Sequence, residues 1–513
     1  MTLTTTPRHA TATGPLPEHV RVAVVGSGFS GIGTAVALLR AGVDDFVVLE
    51  RAAGLGGTWR DNDYPGAAVD VPSHLYSFSF ALKRDWSHVY SRQPEIQRYL
   101  EQVAADHGVL PHLYCDTDVV SGRWDDDALV WRLQTSRGDL TVDVVVSGAG
   151  GLVEPHLPDV PGTETFQGPS FHSARWDHSV DLAGKRVAVV GTGASAAQFV
   201  PELQRTAAEV VVFQRTPPWV LPRRDRAYSE REHRLQARVP GLLRLARGGQ
   251  YVVREARLGV WTGAGRLRRL FEGQALGFLE QQVPDPELRA RLTPDYALGC
   301  KRVVVSDDYL ASLAQPNVEV VAAPVTAVRP HAVVAADGTE HEVDVIVWGT
   351  GFRVMDIPLG HRLVGREGRT LREEWDRSGV QAHRGTTVAG FPNLFLLLGP
   401  NTALGHTSVV IMIEAQIGYV VEALRRVEEA GAGAIEVRRS AQDAYNARLQ
   451  EELTGTVWNA GGCRSWYRDE QGRNFTLWPT RTSVFLRLMR RFDADSYELR
   501  SPRRVPVPVA VPA

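Results

Sequence analysis

The chain has 513 residues, of which 43% are hydrophobic and 23% charged, and its formal net charge is −2. This length accommodates two or three domains with sizeable cores, and the composition is typical of a globular protein. The small net charge gives no general attraction to nucleic acid or to an anionic membrane, and no apolar stretch approaches the ~20 residues of a membrane span. We therefore expect neither nucleic acid nor a membrane as a partner.

The two ends of the chain lack the periodicity of packed elements. Residues 1–18 are rich in Thr and Pro, without a basic-then-apolar signal pattern, and are predicted to form a disordered tail. Residues 501–513 end in alternating Val and Pro, which forbids a helix and favours an extended arm.

The three cysteines are widely separated in the sequence. Cys115, Cys300 and Cys463 match no metal-binding or redox spacing. We expect no metal site and no disulfide framework, and we interpret the cysteines as reduced thiols of a cytoplasmic protein.

The first strong pattern is an apolar strand that leads into a glycine-rich turn. Residues 22–25 are Val or Ala, and Gly26-Ser27-Gly28-Phe29-Ser30-Gly31 then opens a helix of small residues. Glu50 ends the next apolar run, 24 positions after Gly26. In such a unit the helix N-terminus holds a pyrophosphate, and a carboxylate at this position accepts hydrogen bonds from a ribose diol. The pattern predicts a site for a dinucleotide such as FAD.

The second strong pattern repeats the first with a charge of opposite sign. Residues 187–190 form the strand, and Gly191-Thr192-Gly193-Ala194-Ser195-Ala196 forms the turn, with Ala in the third glycine position. Arg215 follows Gly191 by the same 24 positions, and a guanidinium there suits a ribose 2′-phosphate. This turn therefore predicts a site for NADP.

The order of these patterns predicts an α/β protein with two doubly wound, Rossmann-like domains, one inserted in the other. The first domain is expected to bind FAD and the second NADP. In residues 223–291 Arg is abundant and Leu recurs at helical spacing, which indicates a helical insertion in the NADP domain. The predicted division is a tail at 1–18, the FAD domain at 19–155 and 385–500, the NADP domain at 156–384 with its insertion at about 223–291, and an arm at 501–513.

Two longer motifs connect the chain with a known family. The stretch from Gly57 to Asp70 fits the pattern G-x-W-x4-[FY]-P-G-x3-D, and the stretch from Phe166 to Asp177 fits F-x-G-x3-H-x3-W-[PD]. In both motifs the chain resembles the Baeyer–Villiger branch of the class B flavin monooxygenases. The related amine and sulfide oxygenases usually have Tyr where Trp176 stands. The resemblance covers residues from about 20 to 500.

The resemblance implies an NADPH-dependent flavoprotein monooxygenase. FAD and NADPH would be the cofactors, and a small ketone and dioxygen the substrates. The family inserts one oxygen atom beside the carbonyl through a C4a-peroxyflavin and releases an ester or lactone. The identity of the ketone and the oligomeric state stay open.

The resemblance also assigns roles to individual residues. Arg302 corresponds to the catalytic arginine of the family, and Asp70 to the aspartate that pairs with it. His172 is expected to lie on the connection between the domains and is not assigned to catalysis. The turn from Asn401 to Ser408 is expected to line the substrate pocket. The cofactor contacts are, for FAD, Gly26, Gly28, Gly31, Glu50, Thr58, Trp59, Arg60, Asp61, Asp70, Tyr76 and Val119, and for NADP, Gly191, Thr192, Gly193, Ala194, Ser195, Ala196, Ala197, Gln198, Arg215, Thr216, Lys301 and Trp466.

Three alternatives remain open at this stage. A flavin monooxygenase that oxidises amines or sulfides would use the same cofactors. A disulfide reductase of similar architecture would need a redox cysteine pair, and no two cysteines are near in sequence. The third alternative is a sensor or scaffold that binds nucleotides without turnover. NADPH consumption without any oxygen-dependent product would support it.

Overall fold

The computed structural model describes residues 11–501 except Ala264 and Met355. Residues 502–513 of the predicted arm and residues 1–10 of the predicted tail therefore lie outside the described residues. Residues 11–18 of the predicted tail make contacts with the first sheet. The Ala12 amide donates to the Leu113 carbonyl at 3.0 Å, and Leu16 packs on the core of the first sheet. A carbonyl group of the edge strand Leu113–Tyr114 and an apolar surface of the first sheet hold this segment. The composition of the tail does not reveal these partners.

The first part of the chain supplies six strands and three helices. They are β1 (His19–Val25), α1 (Phe29–Arg40), β2 (Phe46–Leu49), α2 (Thr58–Asp61), α3 (Gln93–Asp106), β3 (Leu113–Tyr114), β4 (Val119–Asp125), β5 (Val130–Thr135) and β6 (Gly138–Ser147).

The middle of the chain contains a second set of strands and a group of helices. They are β7 (Ser170–His172), β8 (Arg186–Val190), α4 (Ala196–Thr206), β9 (Glu209–Phe213), β10 (Val220–Leu221), α5 (Glu230–Arg238), α6 (Leu242–Ala256), α7 (Gly259–Thr262), α8 (Arg266–Gln282), α9 (Pro286–Arg291), β11 (Val304–Val305), α10 (Tyr309–Leu313), β12 (Val318–Val321), β13 (Val325–Arg329), β14 (Ala332–Ala335), β15 (Glu340–Glu342) and β16 (Val345–Trp348).

The last part of the chain is mainly helical. It contains α11 (Pro358–Arg362), β17 (Leu363–Val364), α12 (Leu371–Ser378), β18 (Leu394–Leu396), α13 (Val409–Glu429), β19 (Ala434–Val437), α14 (Arg439–Thr454), α15 (Val457–Ala460), α16 (Thr482–Arg490) and β20 (Tyr497–Arg500).

The first sheet has β1 at its centre, paired in parallel with β2 and β6. The outer strand β3 extends the parallel part beyond β2, and β18 joins β6 from the C-terminal part of the chain. The antiparallel strands β4 and β5 continue the sheet from β6. Strands before residue 150 and after residue 390 thus share one sheet, as the predicted insertion of one unit in another requires.

The second sheet is entirely parallel, with strand order β12-β9-β8-β16-β7. Its central strands are apolar on both faces, because α4 and α10 cover one face and the antiparallel strands β13 and β14 pack on the other. Between β10 and β11 the helices α5 to α9 form the predicted helical insertion.

The segment after β16 returns to the first sheet earlier than the predicted boundary at 384. Strand β17 pairs with β4, and Trp375 of α12 is buried in the core of the first sheet. The division into an FAD domain and an NADP domain stays a prediction, and these contacts favour a boundary before Pro358.

Candidate active site

The first glycine turn has the shape that a bound pyrophosphate requires. Gly26 has φ +96°, which disfavours other residues. A Cβ atom on Gly31 would overlap the Gly26 carbonyl oxygen, so this helix turn can pack only with glycine. Gly28 stands at the N-cap of α1 and supplies no side-chain cap, which leaves the first amides of the helix for an anion.

Glu50 lies at the end of β2, close to this turn. Its side chain is largely buried, and one carboxylate oxygen accepts hydrogen bonds from the Ser27 amide at 3.0 Å and the Ser27 hydroxyl at 2.6 Å. The other oxygen lies 3.2 Å from a guanidinium nitrogen of Arg60. The carboxylate is thus held beside the turn, where the sequence predicts the contact with a ribose.

An open cavity extends from the turn. Trp59 and Tyr76 shape one side of it, where the indole nitrogen of Trp59 donates to the Tyr76 hydroxyl at 3.1 Å. The glycine-lined end of the cavity, with its carboxylate, fits FAD. The predicted FAD contacts that line it are Gly26, Gly28, Glu50, Thr58, Trp59, Arg60, Asp61, Tyr76 and Val119.

The second glycine turn repeats this geometry at the start of α4. Gly191 has φ +110°, and a Cβ atom there would overlap the Gly349 carbonyl oxygen. Gly193 faces open space, with no atom within 4 Å of a Cβ position, which leaves room for a coenzyme. Ala196 and Ala197 are buried beneath the helix start, so they act by close packing. The turn fits a second dinucleotide.

Two cations converge beyond this turn. The pKa of Lys301 lies below its ordinary value because the side chain is half-buried and because Arg215 is nearby. Thr192 donates a hydrogen bond from its hydroxyl to the Thr216 carbonyl at 3.3 Å, which connects the turn with the segment of Arg215. Two neighbouring cations repel each other unless an anion lies between them, and a 2′-phosphate would satisfy both.

Arg302 and Asp70 form an ion pair between two distant segments of the chain. Burial by itself would raise the pKa of Asp70, but the Arg302 charge outweighs it and lowers that pKa. Asp70 in turn raises the pKa of Arg302. The side chains of Arg302 and Asp70 are 44% and 29% exposed, so the pair is accessible from the protein surface. Asp70 therefore holds a protonated guanidinium in a fixed, partly exposed position.

Two tyrosines near this pair were missed from the sequence. The charges of Arg302 and Asp70 act on the hydroxyls of Tyr64 and Tyr467, and burial raises the pKa of both phenols. Both hydroxyls therefore stay protonated and able to donate at neutral pH. Tyr64 belongs to the Gly57-to-Asp70 motif, and this motif is the sequence signal from which its role could have been predicted.

The side chain of Gln198 connects α4 with the loop that carries Asp70. Its amide oxygen accepts from the Tyr64 hydroxyl at 2.9 Å, and its amide nitrogen donates to the Ala68 carbonyl at 2.9 Å. A Cβ atom on Gly66 would overlap the Gln198 carbonyl oxygen, so the two backbones lie unusually close. The start of α4 thereby positions this loop. The contact of Gln198 with NADP stays a prediction.

The structure corrects the expectation of three reduced cysteines. Cys300 and Cys463 form a disulfide, with Cα atoms 6.1 Å apart, although 163 positions separate them. Cys115 remains free. Spacing along the sequence gives no information here because the pair is created by the packing of the loop after α15 against the segment before Lys301.

Trp466 lies on the same loop as Cys463. Its side chain is 43% exposed, and its ring stacks edge-on against Tyr467 with the centroids 4.5 Å apart. An exposed tryptophan with one buried neighbour is available for contact with a ligand. This agrees with its predicted role near the nicotinamide ribose, which stays a prediction.

The turn from Asn401 to Ser408 is more buried than a pocket lining would be. Its hydrogen bonds run to the C-terminal segment, and His406 lies 3.1 Å from Glu255 of α6. Leu404 and Gly405 are half-buried, and Gly405 packs beside Trp261. Only this middle part of the turn remains suitable for contact with a substrate.

The surroundings of His172 indicate a structural role. Burial lowers its pKa to about 4, so the ring is neutral near pH 7, and its Nδ1 accepts a hydrogen bond from the Ala174 amide at 3.0 Å. It lies at the edge of the second sheet, paired with Trp348. This position agrees with its omission from the catalytic residues.

Among the residues that the structure describes, no cluster of His, Cys, Asp and Glu could hold a metal ion. Within the same residues, no helix combines the length and the apolar character that crossing a bilayer requires.

Comparison with known proteins gives a consistent result. The flavin-binding monooxygenase-like family matches residues 19–248. A Baeyer–Villiger monooxygenase of Streptomyces coelicolor is 51% identical over 94% of this chain and 93% of its own length. Another Baeyer–Villiger monooxygenase, from Pseudomonas aeruginosa, is 47% identical over 96% of this chain and 94% of its own.

Solved structures show the same likeness. The cyclohexanone monooxygenase of Rhodococcus sp. Phi1 bound to NADP⁺ has a TM-score of 0.84 at 28% identity, over 95% of this chain and 100% of that one. An oxidised steroid monooxygenase bound to NADP has a TM-score of 0.82 at 27% identity, over 94% and 100%. The predicted fold class is confirmed. Similarity to monooxygenases over nearly the whole length also decides against a disulfide reductase.

Proposed function

The chain belongs to the Baeyer–Villiger monooxygenases of the flavin-binding monooxygenase-like family, and we propose that it converts a small ketone to an ester or lactone with NADPH and dioxygen. The observation that carries this proposal is the Arg302–Asp70 pair, which holds a partly exposed cation in a chain with two glycine turns of the dinucleotide-binding type. Heteroatom oxidation would use the same cofactors, and no contact in the structure favours it.

The residues of each turn have separate tasks in holding the cofactors. Around the first turn, the α1 N-terminus would hold the pyrophosphate of FAD and Glu50 the adenosine ribose. Around the second, the α4 N-terminus would hold the pyrophosphate of NADPH, while Arg215 and Lys301 would bind its 2′-phosphate. Bound FAD would supply the redox chemistry that connects NADPH with dioxygen, and dioxygen would provide the inserted oxygen atom.

Arg302 has the central chemical task among the protein's own groups. Negative charge develops on oxygen while the ketone carbonyl is attacked, and a fixed guanidinium in a site of low dielectric stabilises that charge. Asp70 keeps the guanidinium oriented and protonated, so little reorganisation is needed when the charge appears. Tyr64 and Gln198 act one step further out, by fixing the loop that carries Asp70.

Water must be kept from the reacting groups, because a hydrated site loses its activated oxygen as hydrogen peroxide. The apolar side chains of Trp261 and Leu404 pack on the core beside the Cys300 segment. We propose that they cover the ketone and thereby limit the access of water.

The proposal is tested on the purified protein with its flavin. NADPH added without oxygen should bleach the flavin absorbance. Oxygen added with a panel of linear, cyclic and fused-ring ketones should then give an ester or lactone from at least one of them. A thioether tested in parallel measures the competing heteroatom oxidation. Protein that takes up no flavin, or that gives sulfoxide but no ester across the panel, would contradict the proposal.

A further inference from the structure

The disulfide joins two segments that both belong to the proposed coenzyme site. Cys300 directly precedes Lys301 and Arg302, and Cys463 lies three positions before Trp466. One covalent bond therefore connects the segment of the phosphate-binding lysine and the catalytic arginine with the loop of the exposed tryptophan. No role for these sulfurs in cofactor binding follows from the glycine turns or the family motifs.

The covalent bond adds to noncovalent contacts between the two segments. The Ala297 amide donates to the Gly461 carbonyl at 3.1 Å, and the Cys463 amide donates to the sulfur of Cys300 at 3.2 Å. Cys300 and Tyr467 also belong to one buried apolar cluster. The loop itself contains Gly461 and Gly462, the latter exposed with φ +80°, which makes its backbone easy to rearrange. The bond is thus one of several restraints on where this loop lies.

The two sulfur positions differ in their access to solvent. Cys300 is 1% exposed, whereas Cys463 is only partly buried. A small oxidant or reductant therefore reaches Cys463 first, and Cys300 is the partner that completes or re-forms the bond.

We propose that Cys300 and Cys463 form a peroxide-responsive modification site that controls how firmly the Trp466 loop holds the coenzyme. The proposal rests on the proposed function only for the source of the oxidant. Turnover without ketone would transfer two electrons from NADPH to dioxygen and release hydrogen peroxide close to this pair.

The chemistry balances with these reactants. The sulfur of Cys463 attacks one oxygen of hydrogen peroxide, the O–O bond breaks, and one water leaves with a sulfenic acid formed on Cys463. The sulfur of Cys300 then attacks the Cys463 sulfur, the S–S bond forms, and the second water leaves. Two thiols lose two electrons and two protons, and one peroxide becomes two waters. A small dithiol reverses the bond by thiol–disulfide exchange.

The consequence is a negative feedback on peroxide release. With the bond formed, Lys301, Arg302 and Trp466 belong to one connected unit, and the coenzyme is held in a closed cleft. With the bond reduced, the loop separates more easily, NADP⁺ binds less tightly, and more reducing equivalents are lost as peroxide. The released peroxide then restores the bond.

The first experiment uses the flavin-loaded protein in two states, treated with a small dithiol or with a slight excess of hydrogen peroxide. Thiol alkylation followed by mass measurement should show three free cysteines after the dithiol and one after peroxide. The dissociation constant of NADP⁺ should be about fivefold higher in the reduced state, within the usual range of coupling between two events. The rate of peroxide release without ketone should rise in parallel.

Two variants separate this effect from general damage. Cys463→Ser should resemble the reduced protein under both treatments, while Cys115→Ser should respond as the unchanged protein does. Reduction of the unchanged protein serves as the measurement that needs no mutation, since Cys300 is buried and its variants can misfold. The proposal is overturned if peroxide leaves all three thiols free, or if NADP⁺ affinity and peroxide release stay the same after complete reduction. Neither result depends on finding the ketone, so failure here is distinct from failure of the proposed function.

Discussion

Individual charges set the chemistry of this protein. Glu50 and Arg215 occupy equivalent positions after the two glycine turns, and their opposite signs distinguish a ribose diol from a ribose phosphate. Arg302 differs from the many exposed arginines of the chain because Asp70 holds it in a fixed position. A guanidinium contributes to catalysis only where its position is fixed before negative charge develops.

Replacement of Arg302 by Ala tests its role in oxygen transfer. Ester formation should fall by roughly a hundred- to a thousandfold, equivalent to ~2.7–4 kcal/mol, because the developing charge loses its stabilising cation. Reduction of the flavin by NADPH should continue. Stopped-flow measurement of the reduction and chromatography of the product separate the two steps. Arg329→Ala, at an arginine that is 60% exposed, is the control. An unchanged ester yield per NADPH in the Arg302 variant would refute the assignment.

Replacement of Arg215 by Ala tests the selection of the coenzyme. Loss of a charge-assisted hydrogen bond to the 2′-phosphate should cost ~1.5–3 kcal/mol of discrimination for NADPH over NADH. The ratio of kcat/KM for the two coenzymes measures this directly. Arg205→Ala, at a 52% exposed arginine on α4, should leave the ratio as it is. A ratio that also stays constant for Arg215→Ala would place the phosphate elsewhere.

The elements act mainly by bringing backbone amides to the right places. Strand β1 and helix α1 meet at a turn in which Gly31 touches Gly26, and β8 and α4 meet at a turn where Gly191 touches Gly349. These contacts bring each helix N-terminus to the carboxyl edge of its sheet, where parallel doubly wound sheets bind ligands. Close packing of backbone on backbone explains why small residues recur in both turns.

A methyl group at Gly31 tests the close contact of α1 with its turn. Gly31→Ala should lower the free energy of unfolding by ~3 kcal/mol or more, since neither backbone can move away easily. The purified protein should also lose most of its flavin. Gly273→Ala on α8, where a Cβ meets no atom within 4 Å, is the matched control. That substitution should raise the stability by ~0.5–1 kcal/mol, as expected for Gly to Ala in an open helix. Denaturant titration and flavin absorbance measure both effects. Equal behaviour of the two variants would contradict the steric argument.

In the whole molecule, contacts between distant segments hold the cleft together. Gln198 connects the second sheet with the loop of Asp70, and the Cys300–Cys463 bond connects the arginine segment with the C-terminal loop. Glu255 of the helical insertion accepts hydrogen bonds from His406 at 3.1 Å and from the Thr482 amide at 2.7 Å. The insertion is therefore attached to the C-terminal part of the chain, through His406 and Thr482, as well as to the strands β10 and β11 that flank it.

The attachment through Glu255 gives a pH dependence of stability. Burial by itself would raise the pKa of Glu255, but hydrogen bonds from His406 and Thr482 lower it to about 2. An unfolded Glu titrates at about 4.3, so the contribution is complete above that pH and is lost as the pH falls towards 2. With allowance for solvent screening we expect about 1–2 kcal/mol. Glu255→Gln should lose this stability at pH 7, and the difference from the unchanged protein should shrink below about pH 4.3.

Urea unfolding at pH 7 and at successively lower pH measures that difference. The exposed Glu451→Gln on α14 provides the control and should show little change at any pH. A constant difference between Glu255→Gln and the unchanged protein from pH 7 to pH 3 would show that the charge of Glu255 does not contribute.

Much of the fold and of the cofactor sites could be predicted from the amino-acid order. The glycine turns, the signs of Glu50 and Arg215, and the motif that ends at Asp70 are short runs whose meaning depends on local backbone geometry. Such requirements act within a few residues, so they are legible in the chain before it folds. The predicted FAD contacts of the first turn and of residues 58–61 depend on requirements of this kind, and they stay a prediction.

The remaining features became visible only in three dimensions. Three contacts join segments that lie far apart along the chain. They are the bond between Cys300 and Cys463, the hydrogen bond of Gln198 with Ala68, and the contact of the buried His406 with Glu255. Such contacts depend on how helices and sheets pack against each other, and spacing in the sequence contains no measure of that distance. Local sterics therefore determined where the cofactors should bind, and long-range packing decided which side chains close the site around them.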